Sequence, residues 1–232
     1  MKPQIPWLRV FVEGVVIVGS ILLAFGIDAW WGGVQERAEE QELLIGLRQE
    51  FVENQEILRV SLALVDQGVD DLRRFVALTP DQAAQIPSDS AWARVIIPHR
   101  RVFSSSLSLG FLDATVSSGK LAMIRDGNLR AALARTSGIQ VDVLEVLAYA
   151  LELSLKAATL FGRYSEIQAA TAIDPLGSGQ VTASTLRALR SDIEFMGVST
   201  AKAYYWAAYA SESRRLEVHV DLVVAMIEAA LE

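Results

Sequence analysis

The sequence predicts an all-α protein in which one N-terminal transmembrane helix is followed by an antiparallel bundle of long helices. Residues 10–27 are apolar apart from Glu13, and the segment 8–31 would be about 36 Å long as a helix, enough to cross a hydrocarbon layer of about 30 Å. Apolar residues recur at helical spacing through three later segments, and strand-like alternation is essentially absent. We therefore expect a cytoplasmic N-terminus and membrane anchor in residues 1–31 and an extracytoplasmic helical bundle in residues 32–232.

Tryptophans bracket the anchor, with Trp7 at one end and Trp30 and Trp31 at the other. Amphipathic indole rings favour the two membrane interfaces, so we interpret all three as interfacial anchors. The alternative is a cleaved signal peptide with residues 24–26 as a small-residue processing site. Glu13 inside the apolar stretch and the double tryptophan after it disfavour cleavage.

One face of the anchor is small and polar. Glu13, Ser20, Ala24 and Asp28 share this face, and small or polar residues permit close helix approach and hydrogen bonding across a helix pair. We expect this face to contact a partner helix in the membrane. Two other interpretations remain: Glu13 reaches the headgroup region and is simply solvated, or it handles a proton or an ion.

Composition restricts the class of protein. With 52% hydrophobic residues the chain is rich enough for a sizeable core, and a net charge of −7 argues against nucleic acid as a partner. The absence of cysteine excludes disulfides and thiol chemistry.

The orientation of the anchor depends on the positive charges at its two ends. Lys2 and Arg9 before the anchor nearly balance Arg37 and Arg48 after it, so the charges favour a cytoplasmic N-terminus only slightly.

The first helix after the anchor is predicted over residues 35–78. Its apolar residues recur every seven positions and suit either a coiled-coil seam or one element of a bundle: Leu44, Phe51, Leu58, Val65 and Leu72, with Leu47, Leu62, Val69 and Val76 beside them. Asn54 interrupts the pattern and is a candidate register-setting contact of a coiled coil. Gly32 and Gly33 either hinge this helix against the anchor or lie within one rod of roughly 100 Å.

Capping signals divide the rest of the chain. Thr79 precedes a short helix, residues 87–98 form a looser segment around Trp92, and Gly119 ends a helix as a left-handed cap. The helix that Asp126 begins is apolar on two faces, which predicts a central position in the bundle. The further predicted helices cover residues 105–118, 126–170, 182–190 and 192–231, and residues 174–179 form a loop.

Candidate catalytic and metal-binding motifs are weak. Ser117 and Lys120 have serine-x-x-lysine spacing, but the glycine between them indicates a helix end. The loop from Asp174 resembles a calcium loop that lacks two principal carboxylates. His219 has no helix ligand at i+3 or i+4. His99 with its two following arginines suits a solvated loop, an ion pair with the acidic first helix or a small anion-binding patch. We predict no catalytic residue, no metal and no cofactor.

Aromatic side chains are densest around Tyr205, Trp206 and Tyr209 in the last predicted helix. Wide aromatic faces line some ligand pockets, so these three residues are candidates for a ligand site. More often such a stripe belongs to the core or to a subunit interface.

Two stretches resemble an uncharacterised family of bacterial single-pass membrane proteins with an N-terminal anchor and a helical domain. The family's anchor pattern occurs here at Glu13, Ser20, Leu22, Ala24, Ile27, Asp28 and Trp30. Its serine-serine-glycine-lysine-leucine segment is similar to Ser117 to Leu121 and continues with Ile124, Asp126, Leu129, Arg130 and Leu133. The resemblance covers roughly the first 60 residues and 105–135; a less basic N-terminus and Gly19 depart from it.

The resemblance implies the bacterial inner membrane, a cytoplasmic N-terminus and a periplasmic main domain, but no reaction. The residues and the resemblance together lead us to expect a non-enzymatic helical protein that lies in the lipid bilayer. It would form a homo-oligomer or serve as an accessory or scaffold subunit of a larger membrane protein assembly. The alternative is a sensory or small-ligand-binding helical module that acts through a partner.

Overall fold

The computed structural model describes residues 7–102, 107–164, 167 and 180–232, and every regular element in them is helical. The all-α prediction is therefore confirmed. The longer helices are α1 (Trp7–Ala77), α5 (Gly110–Ser117), α6 (Gly127–Phe161), α7 (Ala183–Ser191) and α8 (Ile193–Leu231). The shorter ones are α2 (Pro80–Ala83), α3 (Ser88–Ala91) and α4 (Ile97–Arg100), with a π-helical turn at Trp92–Ile96 and a 3₁₀ turn at Lys120–Met123.

The last helix, α8, lies between α1 and α6 and runs antiparallel to both. Arg48 near the start of the bundle pairs with Glu228 at 2.7 Å, and Arg163 at the far end of α6 pairs with Glu194 at 2.7 Å. The prediction that α6 is the central helix is wrong. Its second apolar stripe is only partly covered, since Leu147 is 6% exposed but Leu144 and Leu155 are 39% and 70% exposed, so α6 lies at the side of the bundle.

The heptad positions of α1 are buried inside the chain's own fold. Leu47, Phe51 and Leu58 have no exposed surface and belong to one core cluster with residues of α6 and α8. The pattern therefore marks one element of a bundle. Asn54 sets no coiled-coil register: its side chain donates to the Ser108 carbonyl at 2.8 Å and accepts from the Ser108 amide at 3.0 Å.

Helix α1 continues without interruption through Gly32 and Gly33, so the rod is observed and the hinge is not. Its 71 residues make it about 106 Å long. Burial begins only at Leu43, about 18 Å along the helix from Trp31.

A second core cluster closes the end of the bundle farthest from the anchor. The prediction of a loose segment around Trp92 is wrong, because this segment is helical from Ser88 to Arg100 and Trp92 is 3% exposed. The π-helical turn carries Trp92 and Val95 into the cluster, where they meet the end of α1, α7 and Phe195 of α8.

Helix boundaries follow the capping chemistry. Thr79 forms a capping box with Gln82; Asp126, Thr182 and Asp192 accept from backbone amides at the starts of α6, α7 and α8. Gly119 adopts a φ of 76°, which confirms the left-handed end predicted there. Two helices are shorter than predicted: α5 begins at Gly110, after a non-helical stretch that Asn54 fastens, and α6 ends at Phe161.

Candidate functional site

The N-terminal part of α1 presents an unpacked apolar surface. Side chains from residue 11 to residue 32 that the structure describes are all exposed, and Phe11, Phe25 and Trp30 are at least 66% exposed. This stretch is long and apolar enough to cross a membrane. Contiguous exposed apolar surface of this size is rare in soluble monomers. This surface is therefore the main candidate functional site.

The predicted partner face lies on this stretch in regular helix. Positions 13, 20, 24 and 28 fall within one narrow sector at 100° per residue, and all four side chains are exposed. Ser20 donates its hydroxyl proton to the Val16 carbonyl at 2.8 Å, so the serine is satisfied within its own helix and its oxygen retains acceptor capacity. The carboxylates of Glu13 and Asp28 mark the two ends of the face.

The tryptophans predicted to be interfacial occupy the ends of the apolar stretch. Trp30 and Trp31 are exposed, with ring centroids 6.3 Å apart, and they project from adjacent positions of the helix. Trp7 is the first residue of α1, and its side chain lies outside the described residues.

A second, glycine-rich face lies on the opposite side of the anchor, and sequence reasoning missed it. Gly19, Gly26 and Gly33 are seven residues apart, and a Cβ added to any of them would meet no atom within 4 Å. Phe11, Val18 and Leu22 border a shallow groove beside Gly14 and Gly19. The spacing of the glycines was the available signal, because small residues every seven positions fall on one face of a helix.

The aromatic candidates of α8 divide between core and surface. Trp206 and Tyr209 are 1% and 0% exposed and pack edge to face at 5.4 Å. Tyr205 is half-buried and stacks on Tyr149 of α6 at 5.6 Å. The rings of Trp206 and Tyr209 thus fill the space that a ligand at this position would need.

His99 belongs to a buried polar cluster, so a solvated loop and an anion-binding patch at this residue are both wrong. Its Nδ1 lies 2.6 Å from the Val95 carbonyl and its Nε2 lies 2.8 Å from the Ser199 hydroxyl. Lys202 donates to the His99 carbonyl at 2.5 Å. None of the three side chains is exposed. A serine–histidine pair without access to solvent joins α4 to α8 structurally and offers no nucleophile to a substrate.

Burial sets the charges of this cluster. It lowers the pKa of His99 to about 3, so the imidazole is neutral near pH 7. Burial also lowers the pKa of Lys202 to about 7. Because Nδ1 faces a carbonyl, the single ring proton sits there and Nε2 is an acceptor; the one Ser199 hydroxyl proton is shared between this nitrogen and the Phe195 carbonyl, each 2.8 Å away. Sequence reasoning missed Lys202, since nothing in its spacing distinguishes it from a surface lysine.

The other candidate motifs have structural surroundings. His219 Nε2 lies 3.1 Å from both the Thr136 hydroxyl and the Ala132 carbonyl. Ser117 donates to the Ala114 carbonyl, and the left-handed Gly119 separates it from Lys120. The calcium-like loop from Asp174 lies outside the described residues. Within the residues that are described, no group of three or more potential ligands is placed to hold a metal ion.

Acidic side chains of α1 hold the segment that contains Ser117 to Leu121. Glu50 accepts from the Phe111 and Leu112 amides at 2.7 and 2.9 Å and so caps α5. Glu40 accepts from the Arg125 amide at 2.6 Å. The segment therefore lies against the end of the bundle nearest the exposed apolar stretch, where its later members Ile124, Leu129 and Leu133 are fully buried.

The chain matches no protein-family model, no curated protein and no solved structure.

Proposed function

We propose that this protein is a non-enzymatic, membrane-anchored helical subunit whose anchor binds another transmembrane helix through the face formed by Glu13, Ser20, Ala24 and Asp28. The partner is a second copy of the chain or another protein of a membrane assembly. The observation that carries the proposal is the exposed apolar helix with one polar face, attached to a bundle whose own apolar stripe is already covered.

Lipid accounts for most of the exposed anchor surface. Exposed Val, Leu, Ile and Phe side chains on a helix of this length are stable in hydrocarbon, where every backbone hydrogen bond of the helix is already made. Lipid does not account for the polar face. Ionisable groups within or beside the apolar segment are costly in a bilayer unless they are solvated or hydrogen-bonded to a partner.

The heptad residues of the bundle do not provide a surface for assembly with another chain. Its heptad residues pack against α8, so they are unavailable for a coiled coil with another chain. Of the heptad stripe and the anchor face, the anchor face is the one that remains exposed. This assigns self-association or subunit docking to the membrane and leaves the bundle as the part that extends from it.

The charge of the segment between the anchor and the bundle favours a position of the bundle away from the membrane surface. Between Trp31 and the first buried residue, Leu43, the chain has four glutamates and one arginine. An anionic leaflet repels such a segment. We place the bundle outside the cytoplasm of a bacterial cell, in the orientation that the family resemblance implies.

The test is photo-crosslinking in native membranes with p-benzoylphenylalanine at position 24 on the polar face. We expect discrete protein adducts, either with a second copy or with another membrane protein that mass spectrometry identifies. A Glu13→Leu change in the same chain should lower the adduct yield several-fold, because one polar contact between membrane helices contributes about 1 kcal/mol.

Position 22 is the matched control, since Leu22 lies on the opposite side of the same helix at similar depth. The label there should give no discrete protein adduct. Adducts only at position 22 would assign the contact to the glycine-rich face. Absence of adducts at both positions, with the chain still in the membrane, would contradict the proposal.

A further inference from the structure

A cavity of about 230 Å³ lies at the end of the bundle farthest from the anchor, between the last turns of α1 and the segment around the π-helical turn. Phe75 and Val95, which are 2% and 1% exposed, and Ile86, which is half-buried, form apolar parts of its wall. Asp71, Arg74 and Arg94 bring both signs of charge to the same cavity.

The three charged side chains differ in their surroundings. The Asp71 side chain is only 11% exposed, and its carboxylate lies 3.5 Å from the Arg74 guanidinium, beyond good hydrogen-bond distance. The Arg74 side chain is 72% exposed and Arg94 is also exposed, so both can turn toward a bound molecule. The cavity thus has an anionic inner group, a cationic rim and an apolar wall.

The two arginines only partly offset the effect of burial on the Asp71 carboxylate. Burial raises the pKa of Asp71 above its ordinary value, although Arg74 and Arg94 act to lower it. A cation that donates hydrogen bonds to this carboxylate would therefore replace solvation that the fold has removed.

We propose that this cavity binds a free α-amino acid with an apolar side chain. The ammonium group would donate to Asp71, the carboxylate would accept from Arg74 and Arg94, and the side chain would lie against Phe75, Ile86 and Val95. The zwitterion is the small-molecule class that satisfies all three regions at once.

The cavity volume sets the size of the ligand. An apolar cavity of roughly 150 Å³ holds benzene. The additional volume here accommodates a backbone of a few heavy atoms, which corresponds to phenylalanine or leucine.

A bound amino acid would contact Phe75 and Val95, which in turn contact the buried His99. The Phe75 ring packs edge to face on His99 at 5.6 Å, and the Val95 carbonyl faces the His99 imidazole. The site lies about 60 Å along α1 from Trp31 and uses no residue of the anchor face. The inference is therefore independent of the proposed membrane contact.

The experiment is isothermal titration calorimetry, in which L-phenylalanine and L-leucine are titrated into the full-length protein in detergent. We expect saturable one-to-one binding of at least one of them. 3-Phenylpropanoate, which lacks the ammonium, and phenylalanine amide, which lacks the carboxylate, should each bind about tenfold or more weakly, because each loses a charge-assisted hydrogen bond.

Variants distinguish the cavity from its surroundings. Asp71→Asn and Arg94→Gln should each weaken binding about tenfold. Asp70→Asn and Arg73→Gln change adjacent residues outside the cavity wall and should weaken binding much less than the wall variants do. Arg94 has no ion pair closer than 4.0 Å among the described residues and is exposed, so its variant retains the fold. No binding of either amino acid, or equal losses in Asp71→Asn and Asp70→Asn, would overturn the proposal.

Discussion

Lys202 shows how one residue links the end of the bundle to its central helix. Its ammonium group donates to the carbonyls of His99 and Arg101, at 2.5 and 3.4 Å, at the C-terminal end of α4. Carbonyls at a helix end lack intrahelical donors and favour a cation. The Trp206 ring lies 5.9 Å from the same nitrogen. The lysine therefore satisfies buried backbone groups, at the cost of removing its charge from water.

The stability of the wild-type protein should rise between pH 7 and pH 9.5 because of Lys202. Its pKa is about 7 in the fold and 10.5 ordinarily, so within this window the unfolded chain holds the proton and the folded chain loses it. Stability then increases with pH, by about 3 kcal/mol at most between these two values. Lys202→Met should remove this rise, as measured by thermal unfolding in detergent at both pH values.

Lys156→Met provides the control for Lys202. Lys156 is exposed on α6, and this variant should keep the wild-type dependence on pH. A Lys202→Met protein whose unfolding temperature rises with pH as steeply as that of the wild type would show that Lys202 stays charged in the fold.

At the scale of the element, α1 combines three roles in one uninterrupted helix. Its first part is an exposed apolar stretch long enough to cross a membrane, its middle part separates that stretch from the bundle, and its last part supplies a main wall of the core. Two consecutive glycines cost about 1 kcal/mol each relative to alanine in a helix interior. The hydrogen-bonded turns on both sides outweigh this cost, so Gly32 and Gly33 remain helical.

We expect a single narrow distance of about 33 Å between spin labels on Leu23→Cys and Ile45→Cys, since 22 residues of continuous helix separate them. Both side chains are exposed, and the chain has no other cysteine that would react with the label. The measurement is double electron–electron resonance on the protein in lipid nanodiscs.

Gly33→Pro is the control for this distance, because proline inside a helix breaks a hydrogen bond and kinks the axis. It should broaden and shorten the distribution. A wild-type distribution as broad as that of Gly33→Pro would restore the hinge between anchor and bundle.

Local patterns predicted the elements well, and three-dimensional contacts explain where prediction failed. The spacing of Leu44, Phe51 and Leu58 fixed a helix and its buried face without reference to other segments. Asn54 was misinterpreted because its partner, the backbone of Ser108, lies 54 positions away in sequence. The pattern of α6 indicated two apolar faces but could not indicate which face a neighbour would cover.

The candidate sites were predictable to different degrees. The polar face of the anchor follows from helical periodicity alone, and so does the seven-residue spacing of its glycines. The cavity at Asp71 does not, since the π-helical turn that brings Val95 beside α1 has no recognisable sequence signal. The sequence likewise suggests that His99 is a loop residue, whereas in the structure the helical segment after the π-helical turn places it in the core.

At the scale of the whole molecule, the described structure separates an apolar anchor from an acidic bundle. The core of the bundle is closed by α8 and by the end cluster around Phe195. Glu40 and Glu50 fasten the end of the bundle nearest the anchor. The end cavity and the anchor face therefore lie at opposite ends of one long helix, where a bound small molecule and a membrane partner would not compete.

The orientation of this assembly is testable because the chain has no cysteine. Ser211→Cys places a thiol on the exposed surface of α8, and Gln4→Cys places one before the anchor without removing Lys2 or Arg9, the cations that favour the orientation. A membrane-impermeant maleimide should label Ser211→Cys in intact spheroplasts and Gln4→Cys only after lysis. The reverse pattern would place the bundle in the cytoplasm, and release of the Ser211→Cys chain by carbonate would show that residues 8–31 do not anchor it.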